Sequence, residues 1–381
     1  MPEQSNKPRD KHRHHFVPQF YLRFFGSEKR VDLYYIPSRR FLGKVSIKHQ
    51  CQREHFYGKD QLIEDALGEF EGHAATVLRK ILNENSTQLS RDDRQILLQF
   101  ILFQHQRTPV AVALRQANSE VMKHAIVRAT DGDFRVEEYV NRPPKKVPDP
   151  VRENLQLAVG GFKYLEDLKI KLLVNETSIG FMTSDSPVVL FNQAAYGIKG
   201  LGVTGWVQPG LQVFFPLSPR ACILLYDGRM YSVKSSKRGA VSVVNENDII
   251  QVNALQALSA QSGLYFCANE ATLASVQELP FAERKSPQER IGYHIAKSQE
   301  DPNRGLVGLY IRQLEFKLDL SIVKMHADLS KGNVFMHFHR PRPLVAHHYG
   351  PKDSPSKRKG KSKSVRYEII RDQESPQLAP G

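Results

Sequence analysis

The residues best equipped for chemistry open the chain. His12-Arg13-His14-His15-Phe16-Val17-Pro18 sets two adjacent imidazoles just ahead of a proline. Imidazoles can bind a divalent ion or exchange a proton near neutral pH, which makes His14 and His15 the first candidates for chemistry. In the architectural alternative, His15 hydrogen-bonds within the aromatic packing that follows, and His12 and His14 are solvated. A second cluster, His49-Gln-Cys51-Gln-Arg-Glu-His55, holds three donors that zinc accepts. A structural zinc site needs four, commonly as paired knuckles, and no second knuckle follows, so loop or helix-end roles fit better.

Arg107 stands at the end of an apolar helix, where a guanidinium is costly to bury without an anion. Ser184-Asp185-Ser186-Pro187 provides a carboxylate on a strand-turn element. An Arg107–Asp185 ion pair would join the two halves of the chain, and so would a phosphate held by Arg107. His15, Arg107 and Asp185 are therefore expected near one cleft as the candidate catalytic set. The alternative for Asp185 is a turn in which its carboxylate bonds a backbone N–H, and Asn253, just inside a helix, reads as structural.

These groups need elements to position them. Phe16 to Phe25 packs five aromatics into ten residues and should be buried. Val31–Ile36 and Phe41–Val45 flank a turn-like Pro37-Ser-Arg-Arg40 and predict a β-hairpin. Apolar residues recur at helical spacing from about Asp60 to Asn83. A second helix starts at Ser90 as N-cap, with Asp92 and Asp93 in its positive first turn, and is apolar on several sides. Pro109 should end or kink it, and a further helix runs to about Ala129. Arg142–Pro150, with four prolines, reads as a linker. Strands are expected at 168–174, 180–183, 188–191, 211–215 and 221–226, then a helix capped by Asn247, a strand at 264–267 and more β alternation over 305–325.

The expected fold class is α+β: a helical N-terminal half after a short β-hairpin, packed with a mainly antiparallel sheet. Residues 1–11 form an arm, 12–340 one domain, and 341–381 a disordered basic tail. The net charge of +14 is concentrated at the ends, with +4 in residues 1–30 and +8 in residues 338–371. Lys357, Arg358, Lys359, Lys361 and Lys363 are the candidate nucleic-acid contacts, since such a run tracks phosphates; a solubilising tail is the alternative. No stretch approaches the roughly 20 apolar residues of a membrane span, and the N-terminus has no signal-peptide core, so a cytoplasmic protein without a membrane partner is expected. Three cysteines without close spacing fit reduced thiols, with Cys222 and Cys267 read as core. Phosphate-binding loops, dinucleotide fingerprints and nucleophile elbows are absent. Gly200-Leu-Gly-Val-Thr-Gly205 is followed by Trp206-Val-Gln-Pro209 rather than a helix, and reads as a flexible loop.

Two resemblances add expectations. The His-His-x-x-Pro stretch is similar to the first motif of His-Asn-His nucleases, which implies that His14 binds a divalent metal while His15 acts as general base on water. That motif also needs Asn or His ligands on a following helix. No asparagine lies between residues 7 and 82, leaving Asp32, His49, His55 and Asp60 as substitutes. Five phrases in order resemble a bacterial family, the domain of unknown function four-two-three-eight. They are His15–Phe25, Leu102–Pro109, Phe181–Leu190 with Ser186 in place of an asparagine, Phe215–Pro219, and Val252–Leu255. The resemblance spans roughly residues 12–270. Some members are placed among antiphage defence systems, which implies such a role here. Two functions stay open: an effector acting on nucleic acid, as a metal-dependent nuclease using a divalent cofactor, or a non-catalytic sensor that binds a phage component or a phosphorylated ligand.

Overall fold

The computed structural model describes residues 13–59, 62–143, 149–198, 200, 202–298 and 305–326, with the backbone of one further strand, Tyr367–Arg371. Its centre is a five-stranded sheet in the order Ala240–Val243, Lys169–Asn175, Ala221–Tyr226, Gln212–Ser218, Val189–Phe191. All pairs are antiparallel except the outermost, where Ala240–Val243 runs parallel to Lys169–Asn175. The two central strands are buried almost throughout, because side chains alternate between two covered faces. Val213, Phe215, Ile223 and Leu225 point into a core shared with the helices Leu62–Glu84 and Arg91–Gln106. Phe214, Cys222, Leu224 and Tyr226 point the other way, against Ile249, Val252 and Leu255 of the helix Glu246–Ser259. Each such apolar side chain contributes roughly 1.5–3 kcal/mol by burial.

The expected hairpin forms from Arg30–Tyr35 and Arg40–Ser46. Its inner edge pairs with Gly263–Phe266, which also pairs with the two-residue strand Thr183–Ser184. The fold is thus α+β with antiparallel sheets on both sides of a helical stretch, as expected. Three details differ. The strand expected over 180–183 is only Thr183–Ser184, because Asn253, Thr272 Oγ1 and the Pro219 carbonyl take the backbone groups of residues 180–182 instead of a neighbouring strand. The cap of Glu246–Ser259 is Asn245, whose side chain accepts the Asn247 N–H. Cys267 is exposed rather than core, one residue past the end of its buried strand.

Local rules explain the central corner. Ser90 Oγ accepts the Asp93 N–H at 3.1 Å and starts the helix Arg91–Gln106. Thr108, in the extended conformation that a following proline favours, caps the next helix, Pro109–Ala129, by accepting the Ala111 N–H at 3.2 Å. Pro109 therefore ends one helix by opening another. The second helix buries Leu114, Ala117, Val121 and Ala125 against Ile291, Tyr293 and Ile295. Those residues belong to Ile291–Ser298, the middle strand between Gly305–Ile311 and Tyr367–Arg371. Tyr367–Arg371 lies within the stretch read as tail. The candidate contacts Lys357, Arg358, Lys359, Lys361 and Lys363 lie outside the described residues, as does the middle of the Arg142–Pro150 segment. No helix among the described residues is long and apolar enough to cross a membrane.

Candidate functional site

His14 and His15 lie on the short strand Arg13–His15, paired with Gln52–Glu54. His14 is 1% exposed, not solvated. Its Nδ1 accepts the Tyr57 N–H at 3.0 Å, which puts the proton on Nε2, and the ring stacks on Tyr57. His15 donates from Nε2 to the Lys48 carbonyl at 3.1 Å. Burial pushes its pKa down, only partly offset by that carbonyl and by Glu71. Asp32, a possible extra ligand, accepts the Lys44 and Ala268 N–H groups instead. Among the described residues, no three His, Cys, Asp or Glu side chains gather to hold a metal ion. Of the remaining candidate donors for a His-Asn-His centre, His12 and Asp60 lie outside the described residues.

Arg107 is buried, and its positive charge is one of the smaller causes that lower the His15 pKa. Its carboxylate partner, however, is Glu71, at 2.6 Å from Nη1. Gln104 Oε1 accepts from Nε at 3.1 Å and Nη2 at 2.6 Å, while Gln104 Nε2 donates to the Phe16 carbonyl. The guanidinium thus ties the signature strand, the long helix and the central helix into one buried network.

Asp185 is elsewhere in function. It accepts four hydrogen bonds from the 261–263 loop: Gln261 N–H at 2.7 Å, Ser262 N–H at 2.7 Å, Ser262 Oγ at 2.9 Å and Gly263 N–H at 3.2 Å. Burial still raises its pKa, against those bonds. The expected Arg107–Asp185 pair is therefore corrected on both sides, since each group is satisfied by a different partner. Behind Asp185, Asn253 Oδ1 accepts the Met182 N–H and its Nδ2 donates to the Gly180 carbonyl. Gln256 takes Ser184 Oγ–H and donates to the Pro187 carbonyl, and Ser259 donates to the Ser186 carbonyl. These three residues recur every third position on one helix face and satisfy a buried segment that has no full strand partner. Asn253 is structural, as read.

A cavity of about 260 Å³ opens where these elements meet. The corner phrase contributes His105 and Thr108, the Asp-Ser-Pro phrase contributes Ser186, Val188 and Leu190, and the glycine-rich loop contributes Trp206. Arg290 completes it and also lines an adjoining cavity of about 290 Å³ with Arg284 and Lys285. Val110, Leu114, Ser259 and Arg290 belong to both. Neither lining includes a carboxylate. Among the described residues, Arg290 Nε, Arg284 Nε and His105 Nδ1 are buried without a hydrogen-bond partner. Burial lowers Arg290 to about 10, so it remains charged at neutral pH, and no carboxylate among the described residues pairs with it. His105 is lowered to about 4 by burial and then by Arg290, and is neutral. Its ring meets Trp206 edge-on at 5.0 Å.

Sequence reasoning passed over His105, Trp206, Arg284 and Arg290. His105 stood inside a phrase already singled out. Arg290 lies in Lys285-Ser-Pro-Gln-Glu-Arg290, a polar run that looks exposed. The fold is α+β, and the two adjoining cavities carry cations and no carboxylate among their lining residues. Residues 13–270 match the family described as a protein of unknown function, DUF4238, and the chain belongs to that family. No curated protein and no solved structure matches it. The matched region contributes most of the cavity walls, while Arg284, Lys285, Arg290 and Leu314 lie beyond it.

Proposed function

We propose that this protein is a non-catalytic sensor that binds a small phosphate-bearing ligand in the cavity around Arg290. One observation carries the reading. A charged, half-buried guanidinium lines two cavities whose described linings hold no carboxylate, an arrangement that costs about 1–2 kcal/mol unless an anion is supplied from outside. The polar groups of the opening signature are committed elsewhere, which favours binding over metal-assisted cleavage. His14 Nδ1 holds Tyr57, His15 Nε2 holds Lys48, and Arg107 is neutralised by Glu71. In the antiphage setting that the family resemblance implies, the ligand would signal infection. The test is calorimetric titration of the full chain with inorganic phosphate and pyrophosphate, alongside Arg290→Met. Binding that disappears in the variant supports the reading. No binding by the wild type, or equal binding by both proteins, overturns it. In a phage challenge, loss of protection by the folded Arg290→Met variant would extend the reading to the cell.

A further inference from the structure

The ligand class follows from how differently the two adjoining cavities are built, given that the anion-binding reading holds. The first is lined by the apolar side chains Val188, Leu190 and Leu314 together with the aromatic ring of Trp206, and by the side-chain amides of Asn118 and of Asn154, whose Nδ2 already donates to the Gln106 carbonyl. Such a slot accepts a flat heterocycle, burying its faces and bonding its edge. The second is the cationic one, where Arg284 and Lys285 join Arg290. Arg284 spends Nη2 on the Ala260 and Gln261 carbonyls and leaves a buried Nε–H unanswered. Among the described residues, Lys285 makes a long contact of 3.9 Å to exposed Glu315, and its charge also reaches Glu289. Volumes point the same way. At about 260 and 290 Å³, each cavity alone falls just below the roughly 300–1,000 Å³ of ordinary ligand sites, and the two joined at Arg290 fall inside it.

We propose that the two cavities are one bipartite site for a nucleoside phosphate, with the base against Trp206 and the phosphates on Arg284, Lys285 and Arg290. The glycine-rich loop then has a task, since it carries Trp206 to the cavity. Gly200, at φ +76°, permits the turn there, and its carbonyl meets the His294 imidazole. A side chain at Gly200 would be strained by that backbone and would crowd His294 at 3.2 Å.

Trp206 is the single tryptophan of the chain, so its fluorescence reports on the base slot without any mutation. The full chain is titrated with adenosine, pyrophosphate, ADP and a 5′-phosphorylated pentaadenylate. ADP should bind at least about tenfold more tightly than pyrophosphate or adenosine, from charge-assisted bonds and stacking added together. ADP and adenosine should perturb Trp206 emission, and pyrophosphate should leave it nearly unchanged. Arg284→Gln should weaken ADP and pyrophosphate about tenfold and spare adenosine. Tighter binding of the pentaadenylate than of ADP assigns the nucleotide to a strand end, and the reverse assigns it to a free nucleotide; either agrees with a nucleoside phosphate. If pyrophosphate binds as tightly as ADP and adenosine leaves the emission untouched, the base slot is refuted while the anion site stands. If no phosphate compound binds, the anion reading itself has failed.

Discussion

Replacing Arg290 by methionine should make the protein more stable and at the same time blind to phosphate. The side chain keeps comparable apolar length, so packing along its stem is largely retained. What disappears is the cost of a charge held away from water. Lowering Arg290 from its ordinary 12.5 to about 10 corresponds to roughly 3 kcal/mol. Because the residue is partly accessible, solvent screening reduces this to about 1–2 kcal/mol. Urea unfolding monitored by circular dichroism should show the midpoint rising with unchanged slope. A saturating phosphate ligand at about a hundred times its Kd should add about 2.7 kcal/mol to the wild type and nothing to the variant. A variant destabilised by more than about 1 kcal/mol would refute the argument, because a carboxylate of the chain itself would then be holding Arg290.

Arg107→Ala should cost about 3 kcal/mol or more in urea unfolding, by stranding Glu71 and Gln104, while Arg107→Lys loses only the fork geometry and should cost about half as much. A loss below about 1 kcal/mol in the alanine variant would show that the network is not structural. Asp185→Asn sets an amide N–H₂ against the 261–263 N–H groups, so hydrogen exchange in that loop should accelerate and phosphate affinity should fall. Unchanged exchange there would exclude Asp185 as the clamp. His105 titrates at about 4 in the folded state against about 6.5 when unfolded, so the unfolded chain binds the extra proton between those values. Stability should therefore fall from about pH 6.5 towards pH 4, by up to about 3 kcal/mol from this residue. Asp185, raised by burial, acts oppositely at the acid end, so the informative comparison is His105→Gln, which should flatten the profile. An identical slope in both proteins would discount His105.

Much of the fold was legible because it obeys local rules. Ser90, the Pro109 corner and the alternation of the hairpin act within a few residues of themselves. The site was legible only in part. Placing Arg107 in need of an anion was sound, but no local signal distinguishes Glu71, one acid among several on an amphipathic helix, from Asp185 in its short turn. Both carboxylates sit beside apolar sequence, and only the tertiary path decides which one the guanidinium reaches. Arg290 was invisible for the opposite reason, since its neighbours are polar and its burial comes from elements far away in sequence.

The pairing of Arg30–Tyr35 with Gly263–Phe266 also imposes a schedule on biosynthesis. Asp32 and Ala268, bonded in the finished fold, are 236 residues apart. At about 5–20 residues per second, the ribosome leaves the hairpin waiting on the order of 10–50 s for its partner strand. During that interval the backbone edge of Leu33 and Tyr34 stands open, able to pair with a neighbouring nascent chain. The hairpin thus has to wait for a strand made far later, and a chain stopped before Phe266 would keep a sticky edge for good.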